Sequence, residues 1–161
     1  MAAQFLLNVF IAILWILLRD EGFLSLQTIF TGFLIGSFIV WLMRRFFGRS
    51  FYLQRVLATI HLLLIFASEN FHSSIVVIEH ILSPKFDLEP GIFAYKTTLE
   101  TNWQVTTLAL LLTLTPGSVV MEVNEEGNVI YVHAMDINRY QGDLEASLQR
   151  FEKAIRGVTD L

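Results

Sequence analysis

The stretch Leu24–Met43, LSLQTIFTGFLIGSFIVWLM, runs for twenty residues without a formally charged side chain. At about 1.5 Å of rise per residue, a helix of this length measures about 30 Å, the thickness of the hydrocarbon core of a bilayer. Gly32 and Gly36 lie on one face of that helix, and small residues at this spacing let a second helix approach closely. The stretch therefore predicts a membrane-spanning helix with a packing face at the two glycines.

Positive charge follows this helix at once, with Arg44 and Arg45 and then Arg49 and Arg55. Lys and Arg accumulate on the cytoplasmic side of membrane proteins. Arg44 and Arg45 therefore predict the orientation, and we expect their end of the helix to face the cytoplasm.

A second apolar segment, Gln4–Leu18, precedes the first and is interrupted by Asn8. With the short polar turn at residues 19–22, it predicts a transmembrane helical hairpin over residues 1–47, with the N-terminus in the cytoplasm. A buried amide in a membrane needs a partner, so we expect Asn8 to form a hydrogen bond to a neighbouring helix or to the interface. Because a two-helix hairpin with a glycine face has little interior of its own, we expect it to pack against other subunits. A direct role of Asn8 in ion passage is the alternative.

Residues 56–82 form a long helical pattern with two different sides, within a segment 48–83 that begins with the basic loop. The apolar side contains Leu57, Ile60, Leu64, Ala67, Phe71, Ile75, Ile78 and Leu82. The polar side contains His61, Ser68, Glu69, His72, Glu79 and His80. We expect an amphipathic helix in the cytoplasmic membrane interface. The alternative, a third membrane crossing, would place Glu69 and His72 near mid-bilayer, which is costly.

The polar side also offers weak candidates for a functional site, namely His61, Glu69 and His72. These residues could bind a metal or relay protons. A metal needs three or four ligands with supporting contacts, and the sequence does not specify them. We therefore expect a polar surface here, without a metal or another cofactor.

After residue 83 the pattern changes to that of a small mixed domain. The predicted elements are a strand (Ile92–Leu99), a capped helix (Trp103–Leu114), two strands (Ser118–Val123 and Asn128–Asp136) and a helix (Asp143–Val158). In the last strand we expect Ile130, Val132 and Ala134 to face one way and Tyr131, His133 and Met135 the other. The helix after the Thr101–Gln104 capping box is apolar on all sides but too short to span a bilayer. We therefore expect it to be buried against a sheet on one side and against the membrane or another subunit on the other. Residues 84–161 thus predict a cytoplasmic β-α-β-β-α domain, and the whole chain is predicted to be an α+β membrane protein.

The composition excludes several classes of function. Residues 56–161 contain six Lys or Arg against thirteen Asp or Glu, which argues against nucleic-acid binding. The absence of Cys excludes disulfides and thiol catalysis. The N-terminus lacks the pattern of a cleaved secretory signal, so we expect it to be retained. His133 with Asp136 suggests an enzyme, but no nucleophile accompanies them, and we expect no catalytic residues.

Several motifs together resemble the E-type subunits of the bacterial Mrp-type cation/proton antiporter complexes. The similarity extends along nearly the whole chain and is carried by Leu6–Asn8 with Trp15, Gly32–Gly36, Arg44–Phe46, Leu82–Lys85, Glu89–Ile92, Leu112–Ser118 and Ile130–Asp136. Position 118 is Ser where the family pattern has Thr, and this keeps the hydroxyl group.

The resemblance implies an accessory subunit of the bacterial cell membrane, in a multisubunit complex that exchanges Na⁺ or K⁺ for protons. The implied partners are large antiporter-like polytopic subunits and other small subunits, and the implied role is mainly assembly, since the large subunits carry the ion-translocating machinery. The alternatives are a stand-alone membrane-anchored binding or regulatory module, and an enzyme using His133 or the polar side of the helix 56–82.

Overall fold

The computed structural model describes residues 2–19, 25–43, 51–83 and 88–160. Within these ranges it contains, in chain order, α1 (Ala2–Leu18), α2 (Leu26–Leu42), α3 (Tyr52–Leu82), β1 (Gly91–Lys96), α4 (Asn102–Thr113), β2 (Ser118–Val123), β3 (Val129–Ala134) and α5 (Ile137–Thr159). The chain is therefore α+β, and the elements after α3 follow the predicted β-α-β-β-α order.

The chain is divided into two compact units, one extending to residue 57 and the other from residue 58 to residue 160. The predicted division into residues 1–47, 48–83 and 84–161 stays a prediction. Arg44 and Arg45, from which the orientation is predicted, lie outside the described residues.

In the first unit, α1 and α2 pack closely against each other and run antiparallel. A side chain at Gly32 would meet the carbonyl oxygen of Ala12 at 3.1 Å, whereas one at Gly36 would meet that of Asn8 at 2.9 Å. Only residues without a Cβ allow this approach. The glycine face of α2 therefore packs against α1 of the same chain.

The third helix is four residues longer at its start than predicted. The extra residues pack in the first unit, where Phe51 and Tyr52 form a small core with Val40. The backbone N–H of Tyr52 donates to Oε1 of Gln4 at 2.9 Å and so satisfies an N–H group at the helix start. At 31 residues, α3 is long and apolar enough to cross a membrane.

The second unit contains an antiparallel sheet of order β1-β3-β2. In the central strand, Ile130, Val132 and Ala134 are fully buried, whereas Tyr131 between them is exposed, which confirms the predicted alternation. The turn between β2 and β3 contains Gly127 at φ +71°, a left-handed conformation that glycine adopts without strain.

The two helices after β1 cover one face of this sheet and bury Leu108, Leu112, Leu148, Phe151 and Ile155 with it. The predicted capping box is confirmed at the start of α4. The predicted burial of α4 against the sheet is confirmed at Leu108 and Leu112. Trp103, Leu110 and Leu114 on the other side are exposed in this chain, and their burial against the membrane or another subunit stays a prediction.

The last helix begins at Ile137 rather than at the predicted Asp143. Its start is fixed by Asp136, whose carboxylate accepts a hydrogen bond from the backbone N–H of Arg139 at 3.2 Å. The helix continues through Gly142, where a side chain would meet only open space. The sequence pattern placed the start later because Gly is unfavourable within a helix.

We expect Gly36→Ala to destabilise the first unit by about 1–3 kcal/mol, because the added methyl group would overlap the Asn8 amide. Gly32→Ala should cost less, since part of the overlap there is with the movable Trp15 side chain. Unfolding of the purified chain in detergent measures both effects. Gly157→Ala, at an open helical position, is the control and should be neutral or stabilising. Equal stability of Gly36→Ala and the wild type would contradict the packing described.

Candidate functional site

A buried polar group joins the three helices of the first unit. The Asn8 amide is fully buried, and its Nδ2 donates to Ser37 Oγ at 2.9 Å and to Tyr52 Oη at 2.5 Å. Asn8 thus finds its hydrogen-bond partners on α2 and at the start of α3, within its own chain. Its Oδ1 lies against Gly36 and accepts no hydrogen bond from the residues described.

The chemistry of this group favours packing over ion transfer. Asn8, Ser37 and Gln4 are uncharged, and Tyr52 contributes only a phenol. The described parts of α1 and α2, residues 2–18 and 26–42, contain no Asp, Glu, Lys, Arg or His. A proton relay through a membrane needs such titratable groups in series. What the group can do is fix the relative positions of three helices.

The residues on the predicted polar side of α3 fall into two groups in the second unit, one buried and one exposed. Glu69 is 7% exposed and faces α5, and His80 is also largely covered. His61 and His72 are exposed and lie at two different hollows of the surface. The three candidates His61, Glu69 and His72 are therefore not brought together at one site.

Glu69 is held by two residues of α5. Its Oε1 lies 2.7 Å from Arg150 Nε, and its Oε2 accepts a hydrogen bond from Ser147 Oγ at 2.6 Å. Arg150 Nη2 in turn donates to Ser147 Oγ at 3.0 Å. A buried carboxylate is tolerated when it is both paired and hydrogen-bonded. This arrangement attaches the polar side of α3 to α5.

A second contact joins the end of α3 to the start of α5. His80 Nε2 lies 3.8 Å from Asp136 Oδ2, and the His80 ring meets the Tyr140 ring edge-on at 5.2 Å. Asp136 also caps α5, so one carboxylate serves both contacts. The suggested pairing of His133 with Asp136 is not found, because His133 lies on the opposite side of the sheet from the buried residues of β3.

The cavity beside this contact has a volume of about 50 Å³ and is lined by residues including His72, Val76, Gly117, Asp136, Tyr140 and Ser147. This volume accommodates a few water molecules. In the described part of the chain, no group of three or more His, Asp or Glu side chains has an arrangement that could hold a metal ion.

The apolar face of α3 in the second unit, which we define as Ile60, Leu64, Phe71, Ile75, Ile78 and Leu82, is exposed. The exposed fraction of these side chains ranges from 41% for Ile75 to 77% for Leu82. A helix of a soluble domain normally buries its apolar side. Exposed apolar surfaces of this extent mark contact with a membrane or another protein.

Glu152 was not identified from the sequence, although it is 6% exposed and anchors the end of β1 to α5. It accepts hydrogen bonds from the hydroxyl of Thr97 and from the backbone N–H and the hydroxyl of Thr98. Burial, followed by the nearby Glu152 carboxylate, raises the pKa of Tyr95 to about 12. The sequence feature that could have identified Glu152 is its position beside Leu148, Phe151 and Ile155, on the buried side of an amphipathic helix.

Comparison with known proteins places these features in a family. The model of the MNHE family, described as a Na+/H+ ion antiporter subunit, matches residues 8–158. The chain is 41% identical over 159 residues to the E-type Na(+)/H(+) antiporter subunit of Bacillus subtilis (strain 168), with 99% of each chain covered.

Two solved structures are similar as well. A chain of the membrane-bound sulfane sulfur reductase (MBS), an archaeal respiratory membrane complex, is 24% identical with a TM-score of 0.54, covering 98% of this chain and 99% of that chain. At this identity the likeness concerns the fold alone. A chain of the Mrp complex from Dietzia sp. DQ12-45-1b is 32% identical with a TM-score of 0.43, covering 56% of this chain and 86% of that chain.

We expect Asp136→Ala to lower the free energy of unfolding by about 0.5–2 kcal/mol, because it removes the cap of α5 as well as the His80 contact. Asp136→Asn should cost less, since Asn caps a helix as well as Asp does and only the charge facing His80 is lost. Denaturant unfolding of both variants in detergent measures the difference. If Asn were as damaging as Ala, the cap would not be the main contribution.

Alkaline pH provides a test of the Glu152 cluster. Because the pKa of Tyr95 in the folded chain, about 12, exceeds the ordinary value of 10.0, its contribution to stability is complete below pH 10 and is lost as the pH rises to 12. Absorbance titration should show one of the four Tyr ionising near pH 12, and Tyr95→Phe should abolish that step. Glu152→Gln should lower the pKa of Tyr95, and an unchanged step in that variant would contradict the contribution assigned to the Glu152 carboxylate.

Proposed function

The chain belongs to the MNHE family of Na+/H+ ion antiporter subunits, and we propose that it is an accessory subunit of a multisubunit monovalent cation/proton antiporter in the bacterial cell membrane. The observation that carries this proposal is the 41% identity to a Na(+)/H(+) antiporter subunit over 99% of both chains. Its partners are the large antiporter-like polytopic subunits and the other small subunits, and it acts as part of a transporter rather than as an enzyme.

An assembly role, rather than ion translocation, is supported by how the buried charges are used. Glu69, Asp136 and Glu152 are each held by partners inside the second unit. Ion pathways use buried titratable groups that can exchange their partners. The exposed apolar residues on α1, α2 and α3 instead provide surface for contact with lipid and with other subunits.

We further propose that α1 and α2 span the membrane as a hairpin and that α3 lies in the cytoplasmic interface. The support for α3 is its attachment to α5, which exposes Arg150 and Lys153. If α3 crossed the bilayer, α5 would carry these charges into the hydrocarbon core, which is costly. With α3 at the interface, its apolar face enters the lipid and α5 stays in water. The N-terminus and the domain after α3 are then cytoplasmic.

Affinity purification from native membranes in mild detergent, followed by mass spectrometry, tests the accessory role. We expect several polytopic antiporter-like subunits in constant ratio with the chain, and we expect deletion of the chain to abolish or reduce cation/proton exchange. Recovery of the chain alone, in detergents that preserve other membrane complexes, would contradict the proposal and favour a stand-alone module.

The depth of α3 can be measured separately, because the chain contains no Cys and single cysteines can be spin-labelled cleanly. Labels at Ile60→Cys, Phe71→Cys and Leu82→Cys should all lie at a similar shallow depth, about 5–10 Å into the headgroup and acyl boundary. His72→Cys, an exposed position on the polar side of α3, is the control and should stay accessible to water-soluble relaxation agents. A label at position 71 near the bilayer centre, with positions 60 and 82 near opposite surfaces, would show that α3 spans the membrane.

A further inference from the structure

A hollow of about 230 Å³ lies between α3 and α5, at the end of the second unit away from the His80 contact. Its basic lining consists of His61, Arg150 and Lys153. Its apolar lining includes Ala58, Ile65 and Ala154. Among the residues that the structure describes, none that lines the hollow is acidic. We define this hollow as the basic groove.

The basic groove has a positively charged lining, whereas the surrounding domain is acidic. Residues 56–161 contain thirteen Asp or Glu and only six Lys or Arg. Two of those six cations, together with a histidine, line this one hollow. The nearest carboxylate among their described contacts is that of Glu69, whose side chain is 9% exposed and is already paired with Arg150 Nε. The exposed Lys153 therefore contributes its charge to the groove mouth.

The groove also adjoins the apolar face of α3. Ile60 and Leu64 on that face flank His61 along the helix, and both are exposed. Gly157 lies at the groove and leaves open space, since a side chain there would meet nothing within 4 Å. An anionic group could thus reach the basic side chains while an attached apolar chain lies along α3.

We propose that the basic groove binds a phosphate group, with Lys153 as the charge contact and Arg150 and His61 as further hydrogen-bond donors. Arg and Lys are the side chains that recognise phosphate through charge-assisted hydrogen bonds. The phosphate can come from an anionic phospholipid headgroup or from free phosphate. The lipid source rests on the proposed placement of α3 in the cytoplasmic interface, where the leaflet is rich in anionic lipid.

Binding to the purified full-length chain in detergent tests the proposal, with calorimetry as the readout. The probes are dioctanoyl-phosphatidylglycerol, inorganic phosphate and, as the control with the same apolar chains but no phosphate, dioctanoylglycerol. We expect Lys153→Gln to weaken binding of the anionic probe by about fivefold, since one Lys near an anionic surface contributes about 1 kcal/mol. Lys96→Gln is the matched control, because it removes one exposed cation from β1, outside the groove, and should leave binding unchanged.

Gly157→Asp is a second variant that leaves the basic side chains in place. It should weaken binding of the anionic probe by at least as much as Lys153→Gln, since it adds a negative charge at the groove mouth without a steric overlap. Thermal unfolding checks that both variants fold as the wild type does.

The probes separate the two phosphate sources. Binding of the phosphatidylglycerol probe that inorganic phosphate does not displace supports a lipid headgroup, and displacement at comparable concentration supports free phosphate. No binding of either anion, equal binding of dioctanoylglycerol, or equal effects of Lys153→Gln and Lys96→Gln would overturn the proposal. None of these outcomes depends on other proteins of the complex, so failure here is distinct from failure of co-purification.

Discussion

The pairing of the buried Glu69 carboxylate with α5 is the constraint on which the second unit depends. A carboxylate that is 7% exposed needs charge and hydrogen-bond partners, and here Arg150 and Ser147 of α5 supply them. The side of α3 that contains Glu69 must therefore face the domain. The apolar side, with Phe71 and Leu82, is then directed outward, which is the opposite of the arrangement in a soluble helical domain.

In the first unit, an uncharged side chain joins the helices. The Asn8 amide donates to Ser37 and Tyr52, and its oxygen occupies the space that a side chain at Gly36 would fill. Close helix approach and the two hydrogen bonds of Asn8 Nδ2 are therefore one feature of this unit, because moving the helices apart would break both bonds. In a bilayer, where neighbouring helices gain no hydrophobic free energy by associating, such contacts supply the specificity of packing.

Local signals predicted the fold, whereas the site depended on contacts distant in sequence. The capping box at Thr101 and the alternation in β3 were predicted because each is decided within a few residues. The partners of Glu69 lie 78 and more residues away, and periodicity could not show which side of α3 they cover. The start of α5 was missed because Gly142 breaks the local pattern while the Asp136 cap, six residues earlier, outweighs it.

The hydrogen bonds around the buried carboxylates also bear on how an accessory protein contributes to exchange. Glu152 accepts hydrogen bonds from Thr97 and Thr98, and Glu69 accepts one from Ser147 while it pairs with Arg150. A group that carries protons or cations must change partners during each cycle, and several simultaneous donors oppose such a change. These residues therefore hold the chain in one conformation, and the exposed apolar helices are the means by which it can act on the rest of the complex.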